Sequence, residues 1–437
     1  MNTLLWQLNL DFQFESREKV DELQVDYLLE HVNYCLTKSP FYSKLYGNTT
    51  PKITSLTDIS KLGFTTKDDL LKHNNEFLAV PEGEIVDTCF TSATVGTTPV
   101  NFLLTKSDLD RLAHNEQAAF RISGVTKEDT VAICCALERG FMAGLAYFIG
   151  GVQLGAHMIR VGASGSQHIW NLIKTYNPTT IIGVPSVLAN VAVDAIKDGE
   201  DPASLKVARI LAIGEPIRDK NLQLLSSMKR VEEMWNAPIY STYASTEMAS
   251  SFNECPHRQG GHLRPELIYV EIIDEQGNPV NDGEVGEVVV TPLGVQGMPL
   301  MRFKTGDMSF IISEKCSCGR TTKRIGPVLG RKAQLLKYRG TNVYPNAIVS
   351  IVEANPDFCG CYVEAYTADF GEERVVAVVV NATPNYDLDK LKEEFRAGLR
   401  VVPELKVVDK EEFQNKTQPA GKRKRQIFFD MRDGKLI

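Results

Sequence analysis

The sequence predicts an α/β protein with an antiparallel β section and a separate, smaller α+β unit at the C-terminal end. Three observations predict this class. Short apolar strands alternate with helical stretches from about 128 to 215, strands with Gly/Asp/Asn turns follow from 267 to 312, and the last hundred residues mix strands with a helix. Alternating strands and helices imply right-handed crossovers and a largely parallel sheet. With 437 residues, the chain is long enough for two or three compact units.

The N-terminal segment is predicted to be helical. Residues 18–36 place Val20, Leu28 and Leu36, with other apolar residues, on one face of an amphipathic helix. Two helix starts follow, at Ser55 and at Thr65-Thr66, because each offers a hydroxyl N-cap followed by acidic residues in the first turn.

The middle of the chain carries the sheet signals. The predicted parallel strands are Thr130–Cys134, Thr179–Gly183 and Val207–Leu211, with a helix at Gln167–Tyr176. The predicted antiparallel strands are Tyr269–Ile273 and Gly286–Val290.

The C-terminal unit is predicted from its own pattern. Val375–Val380 is a strand, Asp387 caps a helix that Pro403 closes, and Leu405–Val408 is a further strand. We place the domain boundary near Gly330-Arg331, which gives domains at 1–330 and 331–437.

The composition excludes several classes of protein. The chain has 48 Lys+Arg against 55 Asp+Glu, a net charge of −7, 43% hydrophobic and 24% charged residues. These values exclude a disordered chain, a collagen-like chain and a small disulfide scaffold, and they give no reason to expect a nucleic-acid partner. Nine cysteines, an odd number spread thinly, indicate a reducing compartment. No apolar run of 18 residues and no leader-like start occur, so we expect a cytoplasmic protein without a membrane partner.

Thr91–Pro99 is a loop of small hydroxyl residues around a glycine, between two apolar stretches. Its backbone N–H and side-chain O–H groups are suited to phosphate oxygens. The alternative is an ordinary Ser/Thr-rich hairpin turn. The loop is not a Walker loop, because it lacks the sequence G-K-[ST].

Tyr240–Glu247 ends in Thr246 and Glu247, after a predicted strand. A carboxylate with neighbouring hydroxyls can hold Mg²⁺ together with substrate phosphates. The alternative is a capping box at a helix start.

Three further segments carry candidate residues. Met301–Asp307 ends in an acid just past a glycine, where Asp307 either bonds the local backbone or accepts ribose hydroxyls. Gly330–Gly340 lies at the predicted boundary. Gly421–Arg425 is a basic run, which is either a solvated patch or a functional cluster.

The cysteine spacing suggests a metal site. Cys316-Ser-Cys318-Gly319 is a tight turn in which both sulfurs can face one point. With Cys255 and either His257 or His262, they would make the Cys₃His set that structural Zn²⁺ prefers. The alternative is three unrelated free cysteines. Cys359 and Cys361 are expected to face the same side of a strand.

The order and spacing of these segments resemble the AMP-forming acyl- and aryl-adenylating enzymes, and within them the phenylacetate–CoA ligase branch. The resemblance runs nearly end to end. Phrases typical of that branch are Ser39–Ser43, Phe64–Leu70, Gly155–His157, Gly214–Pro216, Asp282–Thr291 and Arg339–Pro345.

The resemblance implies an AMP-forming acid–thiol ligase that works in two half-reactions. The carboxylate of an aryl or other acid attacks the α-phosphate of ATP, and coenzyme A then displaces AMP. The small C-terminal domain swings between the two steps. A homodimer is left open.

The resemblance also assigns residues to roles. Lys422, Thr246 and Glu247 would be catalytic, Glu247 holding Mg²⁺. The nucleotide-binding residues would be Thr91, Ser92, Thr94, Gly96, Gly214, Glu215, Pro216, Tyr243, Asp307 and Arg331. The acid pocket would involve Phe141, Tyr147 and Ile213. Branch members with the C-x-C-G pattern favour His262 over His257, so the implied zinc ligands are Cys255, His262, Cys316 and Cys318.

The sequence departs from the family pattern in three places, one of which is Ser241, where family members often have an acid or an amide against the adenine amino group. The phosphate loop has Ala93 and Thr97 where glycine and lysine are usual, and Ala333 and Gln334 stand where two acids follow the arginine. Two other functions stay open: transfer of the acyl group to a carrier protein or another non-CoA acceptor, and a weakened nucleotide-binding regulatory homologue, which Ala93 and Thr97 suggest. The sequence does not name the acid.

Overall fold

The computed structural model describes residues 10–47, 53–91, 100–138, 140–367, 373–418 and 426–432. The helices are α1 (Arg17–Lys38), α2 (Pro40–Tyr46), α3 (Leu56–Ser60), α4 (Lys67–His73), α5 (Lys106–Ile122), α6 (Met142–Leu154), α7 (Ser166–Tyr176), α8 (Pro185–Lys197), α9 (Ser226–Trp235), α10 (Pro345–Ala354), α11 (Leu388–Leu399) and α12 (Lys410–Thr417).

The strands are β1 (Ile85–Phe90), β2 (Asn101–Thr105), β3 (Thr130–Cys134), β4 (His157–Arg160), β5 (Thr180–Gly183), β6 (Arg209–Ile213), β7 (Ile239–Ser245), β8 (Ser250–Asn253), β9 (Gly261–His262), β10 (Ile268–Ile273), β11 (Gly286–Pro292), β12 (Phe303–Ser309), β13 (Ile311–Ile312), β14 (Arg324–Ile325), β15 (Gly330–Arg331), β16 (Leu336–Tyr338), β17 (Thr341–Val343), β18 (Phe358–Thr367), β19 (Glu373–Asn381), β20 (Glu404–Val408) and β21 (Phe428–Asp430).

The chain divides into two compact units, each made of several segments. The first comprises Met1–Ile217, Val231–Thr305 and Ser309–Pro327, and the second comprises Arg218–Arg230, Gly306–Met308 and Val328–Ile437, in both cases over their described residues. The boundary expected at 330/331 stays a prediction, and so does the motion of the smaller domain.

A nine-stranded sheet forms the centre of the first unit, in the order β13-β14-β9-β8-β7-β6-β5-β3-β4. Strands β7, β6, β5, β3 and β4 run parallel, whereas β8, β9, β14 and β13 pair antiparallel. The predicted alternation of strands and helices is confirmed, because α6, α7 and α8 separate the parallel strands along the chain. Strands β3, β5 and β6 are buried nearly throughout, as strands covered on both faces must be. The predicted α/β class is therefore correct, and the predicted antiparallel section is correct as well, because β10 pairs antiparallel with β11.

Three of the predicted helix starts have the expected caps. Ser55 accepts a hydrogen bond from the backbone N–H of Asp58, and Thr66 and Asp69 form a reciprocal capping box at the start of α4. Asp387 accepts hydrogen bonds from two N–H groups in the first turn of α11.

The second unit has a four-stranded sheet in the order β20-β19-β18-β21. Alternate residues of β19 enter different apolar clusters: Val375, Ala377 and Val379 pack with residues of α10 and α11, whereas Val376 and Val378 pack with Tyr362 and Phe413. Both faces of the sheet are thus covered, as the predicted α+β unit requires.

One local expectation was wrong. Cys359 is exposed and Cys361 is buried, because the register of β18 against β19 shifts between Phe358 and Gly360. A bulge of this kind breaks the simple alternation of faces along a strand.

Candidate active site and metal centre

The predicted phosphate loop is the connection of a β-hairpin. Strands β1 and β2 pair antiparallel on either side of it. At its base, the N–H of Thr91 donates to the Val100 carbonyl at 3.0 Å, and Oγ1 of Thr91 accepts from the Val100 N–H at 3.3 Å. Ser92, Thr94 and Gly96, with the rest of 92–99, lie outside the described residues.

Thr246 and Glu247 lie in a turn between two antiparallel strands, β7 and β8, and not at a helix start. The N–H of Met248 donates to the Ser245 carbonyl, and the N–H of Ala249 donates to the Thr246 carbonyl, each at 3.2 Å. Ala249 ends the turn with a φ of 45°, in the left-handed region that L-residues rarely adopt.

The turn faces a small cavity in the first unit. Glu247, Thr246 and Ala249 line it together with Phe102, Leu104, Met142, Pro292, Val295 and Met298. Among the described residues, none forms a hydrogen bond or ion pair with the Glu247 carboxylate. A carboxylate beside a hydroxyl fits the oxygen ligands that Mg²⁺ takes from proteins.

The predicted adenine-binding residues lie on or directly after two neighbouring parallel strands: residues 214–216 follow β6, and Tyr243 lies within β7. Ile213 of β6 pairs with Thr242 of β7, so Gly214 and Tyr243 come next along two adjacent strands. Gly214 has a φ of 76°, a backbone conformation that suits glycine. The carboxylate of Glu215 accepts hydrogen bonds from Ser186 in the first turn of α8. The side chain of Glu215 is therefore held by α8.

The predicted acid-binding residues share one apolar cluster. Tyr147 and Ile213 are buried in it, and Phe141 packs against it partly buried. The structure thus brings the three together at the start of α6 and the end of β6.

Asp307 and Arg331 face each other across two antiparallel strands, β12 and β15. Nε of Arg331 lies 3.6 Å from Oδ1 of Asp307. Lys422 lies outside the described residues.

Cys255, His262, Cys316 and Cys318 form a compact cluster in the first unit. One ligand atom from each lies within 4.8 Å of all the others. The sulfurs of Cys255 and Cys316 are 3.6 Å apart, and Sγ of Cys318 is 3.4 Å from Nε2 of His262. Tetrahedral bonds of about 2.3 Å to sulfur and 2.0 Å to nitrogen give separations of roughly 3.5–3.8 Å, so the donor set fits a zinc ion. His257 is exposed and outside the cluster.

The cluster has its own supporting contacts. Nδ1 of His262 lies 3.3 Å from Oγ1 of Thr322, which can accept the Nδ1 proton and leave Nε2 facing the sulfurs. Burial raises the pKa of the Cys318 thiol, but its contacts with His262 and Arg320 outweigh that effect and lower the pKa to about 5. Burial, with the neighbouring cysteines, raises the pKa of Cys255 to about 12.

Comparison with known proteins identifies the family. The AMP-binding enzyme family matches residues 51–297, more than half of the chain. The chain belongs to this family.

Two curated relatives specify the branch. A phenylacetate–coenzyme A ligase of Thermus thermophilus is 32% identical over 350 residues, which are 78% of this chain and 77% of that protein. A phenylacetate–coenzyme A ligase of Pseudomonas putida is 27% identical over 334 residues, or 74% of this chain and 73% of that protein. The predicted membership of the phenylacetate–CoA ligase branch is confirmed.

A solved structure shows the same fold. The 2-hydroxyisobutyryl-CoA ligase crystallised in the postadenylation state superposes with a TM-score of 0.82 at 20% identity, covering 96% of this chain and 91% of that one.

Within this AMP-binding enzyme, the sequence reasoning missed the charged residues of α5. Asp108 and Arg111 are buried there, 2% and 5% exposed, and contact the backbone around the cavity. The available signal was a pair of opposite charges three residues apart, which places both on one face of a helix. The helix itself was not among the predicted elements.

In the described part of the chain, no helix has the length and apolar character needed to cross a membrane.

Proposed function

We propose that this protein activates an aryl or arylacetic acid with ATP and transfers the acyl group to coenzyme A. The observation that carries the proposal is the similarity over 350 residues to a phenylacetate–coenzyme A ligase. In the first half-reaction, a carboxylate oxygen bonds to the α-phosphorus of ATP and pyrophosphate leaves. In the second, the thiol of coenzyme A attacks the acyl carbon, AMP leaves, and the thiol proton is released to solvent.

The residues are proposed to share this work as follows. Glu247 and Thr246 would hold Mg²⁺ and phosphate oxygens, and the bound ion would supply positive charge next to the departing pyrophosphate. Gly214, Glu215 and Pro216 would line the adenine site, and Tyr243 would stack on the base. Asp307, helped by Arg331, would accept the ribose hydroxyls. Thr91, Ser92, Thr94 and Gly96 would enclose the triphosphate, and Lys422 would stabilise charge that develops at the α-phosphate.

The acid is proposed to bind beside the apolar cluster of Phe141, Tyr147 and Ile213, whose two aromatic side chains suit an aryl group. Transfer to a carrier protein or another non-CoA acceptor is not favoured, because the two relatives described above are named as coenzyme A ligases.

Pyrophosphate release with a panel of aryl and arylacetic acids tests the first half-reaction. We expect release that depends on both an acid and ATP. If the protein binds ATP but releases no pyrophosphate with any acid, the result would instead favour a weakened nucleotide-binding homologue, the alternative suggested by Ala93 and Thr97.

We further propose that Cys255, His262, Cys316 and Cys318 hold a structural Zn²⁺. Four protein ligands leave no position for substrate, so the ion would stabilise the fold. The ligands join β9 and the segments after β8 and β13. The segment after β13, which carries Cys316 and Cys318, also contacts the N-terminal part of the chain, because Nε of Arg320 donates to Oε1 of Gln13 at 2.8 Å.

Two broader expectations remain proposals. Cytoplasmic location is supported by the nine cysteines, none of which forms a disulfide in the structure. The swing of the C-terminal domain and the division at 330/331 are supported by the family resemblance.

A further inference from the structure

The guanidinium of Arg111 is buried among backbone carbonyl groups. Its Nε donates to the Leu293 carbonyl at 2.6 Å and one terminal nitrogen donates to the Leu267 carbonyl at 2.5 Å. The other terminal nitrogen donates to the carbonyl of Ala249. A buried cation is costly unless it is hydrogen-bonded, and here all three acceptors belong to the main chain.

Ala249 is the last residue of the turn that carries Thr246 and Glu247. Because its φ of 45° is unfavourable for an L-residue, contacts from outside the turn must hold this conformation. The hydrogen bond from Arg111 to the Ala249 carbonyl is such a contact.

One turn of α5 away, Asp108 holds the opposite side of the cavity. Its carboxylate accepts from the N–H groups of Gln296 and Gly297 at 2.7 and 2.9 Å. Val295 and Met298, on either side of these residues, line the cavity together with Glu247. Arg111 and Asp108 therefore tie the turn and the facing segment to the same helix.

We propose that Arg111 is a positioning residue for the Thr246–Glu247 turn, and that it sets the affinity of the site for magnesium-bound ATP. The inference rests on the proposed function, because it assumes that Glu247 meets the metal ion. Arg111 acts through the backbone of Ala249, and it is not assigned any contact with the nucleotide.

The test compares ATP binding with and without Mg²⁺ by calorimetry on the full-length protein. Arg111→Lys keeps the charge but cannot reach three carbonyls with one ammonium group. We expect the gain in ATP affinity on adding Mg²⁺ to fall by about tenfold, while magnesium-free ATP affinity stays within about twofold.

The matched control is Arg302→Lys. Arg302 is also buried, donates to the Ser60 and Leu62 carbonyls, and pairs with Glu271, and these partners lie outside the turn that carries Glu247. We expect this variant to lose stability with an unchanged response to Mg²⁺.

A second variant separates positioning from general destabilisation. Glycine adopts positive φ without steric cost, so Ala249→Gly in the Arg111→Lys background should recover part of the lost Mg²⁺ response. If Arg111→Lys binds ATP like the wild type in both conditions, or if Arg302→Lys loses the same response, the inference is wrong. A wild-type protein that binds no ATP would contradict the proposed function itself, and the inference with it.

Discussion

The carboxylate of Glu215 accepts hydrogen bonds from Oγ and from the backbone N–H of Ser186, at 2.6 and 3.0 Å. Glu215 follows β6, where adenine is proposed to bind, and Ser186 lies in the first turn of α8. A negative charge at a helix N-terminus is favourable, because unpaired N–H groups and the helix dipole point toward it. The pair therefore fixes the loop 214–216 against α8.

We predict that Glu215→Ala weakens ATP binding by roughly tenfold, because hydrogen bonds to a charged group contribute about 1.5–3 kcal/mol and their loss frees the loop. Ser186→Ala should have a smaller effect, since the backbone N–H remains. Calorimetric ATP affinities of the single and double variants form a mutant cycle. Strictly additive effects would show that the two side chains do not act together.

His31 is predicted to make stability depend on pH. Its Nε2–H donates to the Leu300 carbonyl at 3.0 Å, and its Nδ1 accepts from the Gly294 N–H at 3.3 Å, so the ring is held neutral. Burial lowers the pKa of His31 from 6.5 to about 4, and the nearby Arg111 adds to the effect.

The unfolded chain binds the proton at higher pH than the folded chain does, so acidification favours unfolding. Stability should fall as the pH drops below 6.5, and the loss should reach on the order of 3 kcal/mol near pH 4. Urea unfolding of the wild type and of His31→Gln across this range checks the prediction. The stability advantage of the wild type should shrink on acidification; an advantage independent of pH would rule out the assignment.

Asp307 is predicted to recognise the ribose. Asp307→Ala should weaken ATP binding by roughly 10- to 100-fold, since the variant lacks the carboxylate that would accept hydrogen bonds from the two ribose hydroxyls. The wild type should bind 2′,3′-dideoxy-ATP more weakly than ATP by a similar factor. Asp307→Ala should bind the two nucleotides with nearly equal affinity. Asp282→Ala, which removes an exposed partner of Lys323, is the control. Equal discrimination between the two nucleotides by wild type and Asp307→Ala would contradict the role.

Removal of the proposed zinc ion should destabilise the protein. Purified wild type should contain about one zinc per chain, and Cys316→Ser and Cys318→Ser should contain none and melt at lower temperature. Cys359→Ser is the matched control, because Cys359 is exposed and outside the cluster. A metal-free wild type with unchanged stability would show that the four residues bind no structural ion.

Lys422 is predicted to serve only the first half-reaction. Lys422→Ala should abolish pyrophosphate release, yet it should form thioester from supplied acyl-adenylate and coenzyme A. Chromatographic assay of each half-reaction tests this, with Lys392→Ala, on an exposed helix face, as control. If both half-reactions are lost equally, the proposed domain motion is not supported.

The sequence was informative where the signal is local. Alternating apolar strands predicted β3, β5 and β6, and hydroxyl-acid pairs predicted the caps of α3 and α4. The Cys-x-Cys turn is also local, and the family pattern favoured His262 over His257; the structure brings His262 and Cys255 into the same cluster as that turn.

The remaining features depend on contacts between distant segments. Glu215 and Ser186 are 29 residues apart, and Arg111 reaches Leu293 across 182 positions. Hydroxyl and acidic residues are typical both of hairpin turns and of capping boxes at helix starts, so the sequence alone does not tell which of the two contains Glu247. The antiparallel pairing of β7 with β8 shows that Glu247 lies in a hairpin turn. The bulge at Cys359 likewise follows from pairing with β19.

The central claim is that this chain joins an aryl acid to coenzyme A through an adenylate. Mass spectrometry of a reaction containing phenylacetate, magnesium, ATP and coenzyme A tests it most directly, with AMP and pyrophosphate measured together. The account predicts an acyl–coenzyme A thioester formed with equal amounts of AMP and pyrophosphate, across a panel that includes other aryl acids. ADP with phosphate as products, or adenylate formation with no thioester for any acid, would contradict it.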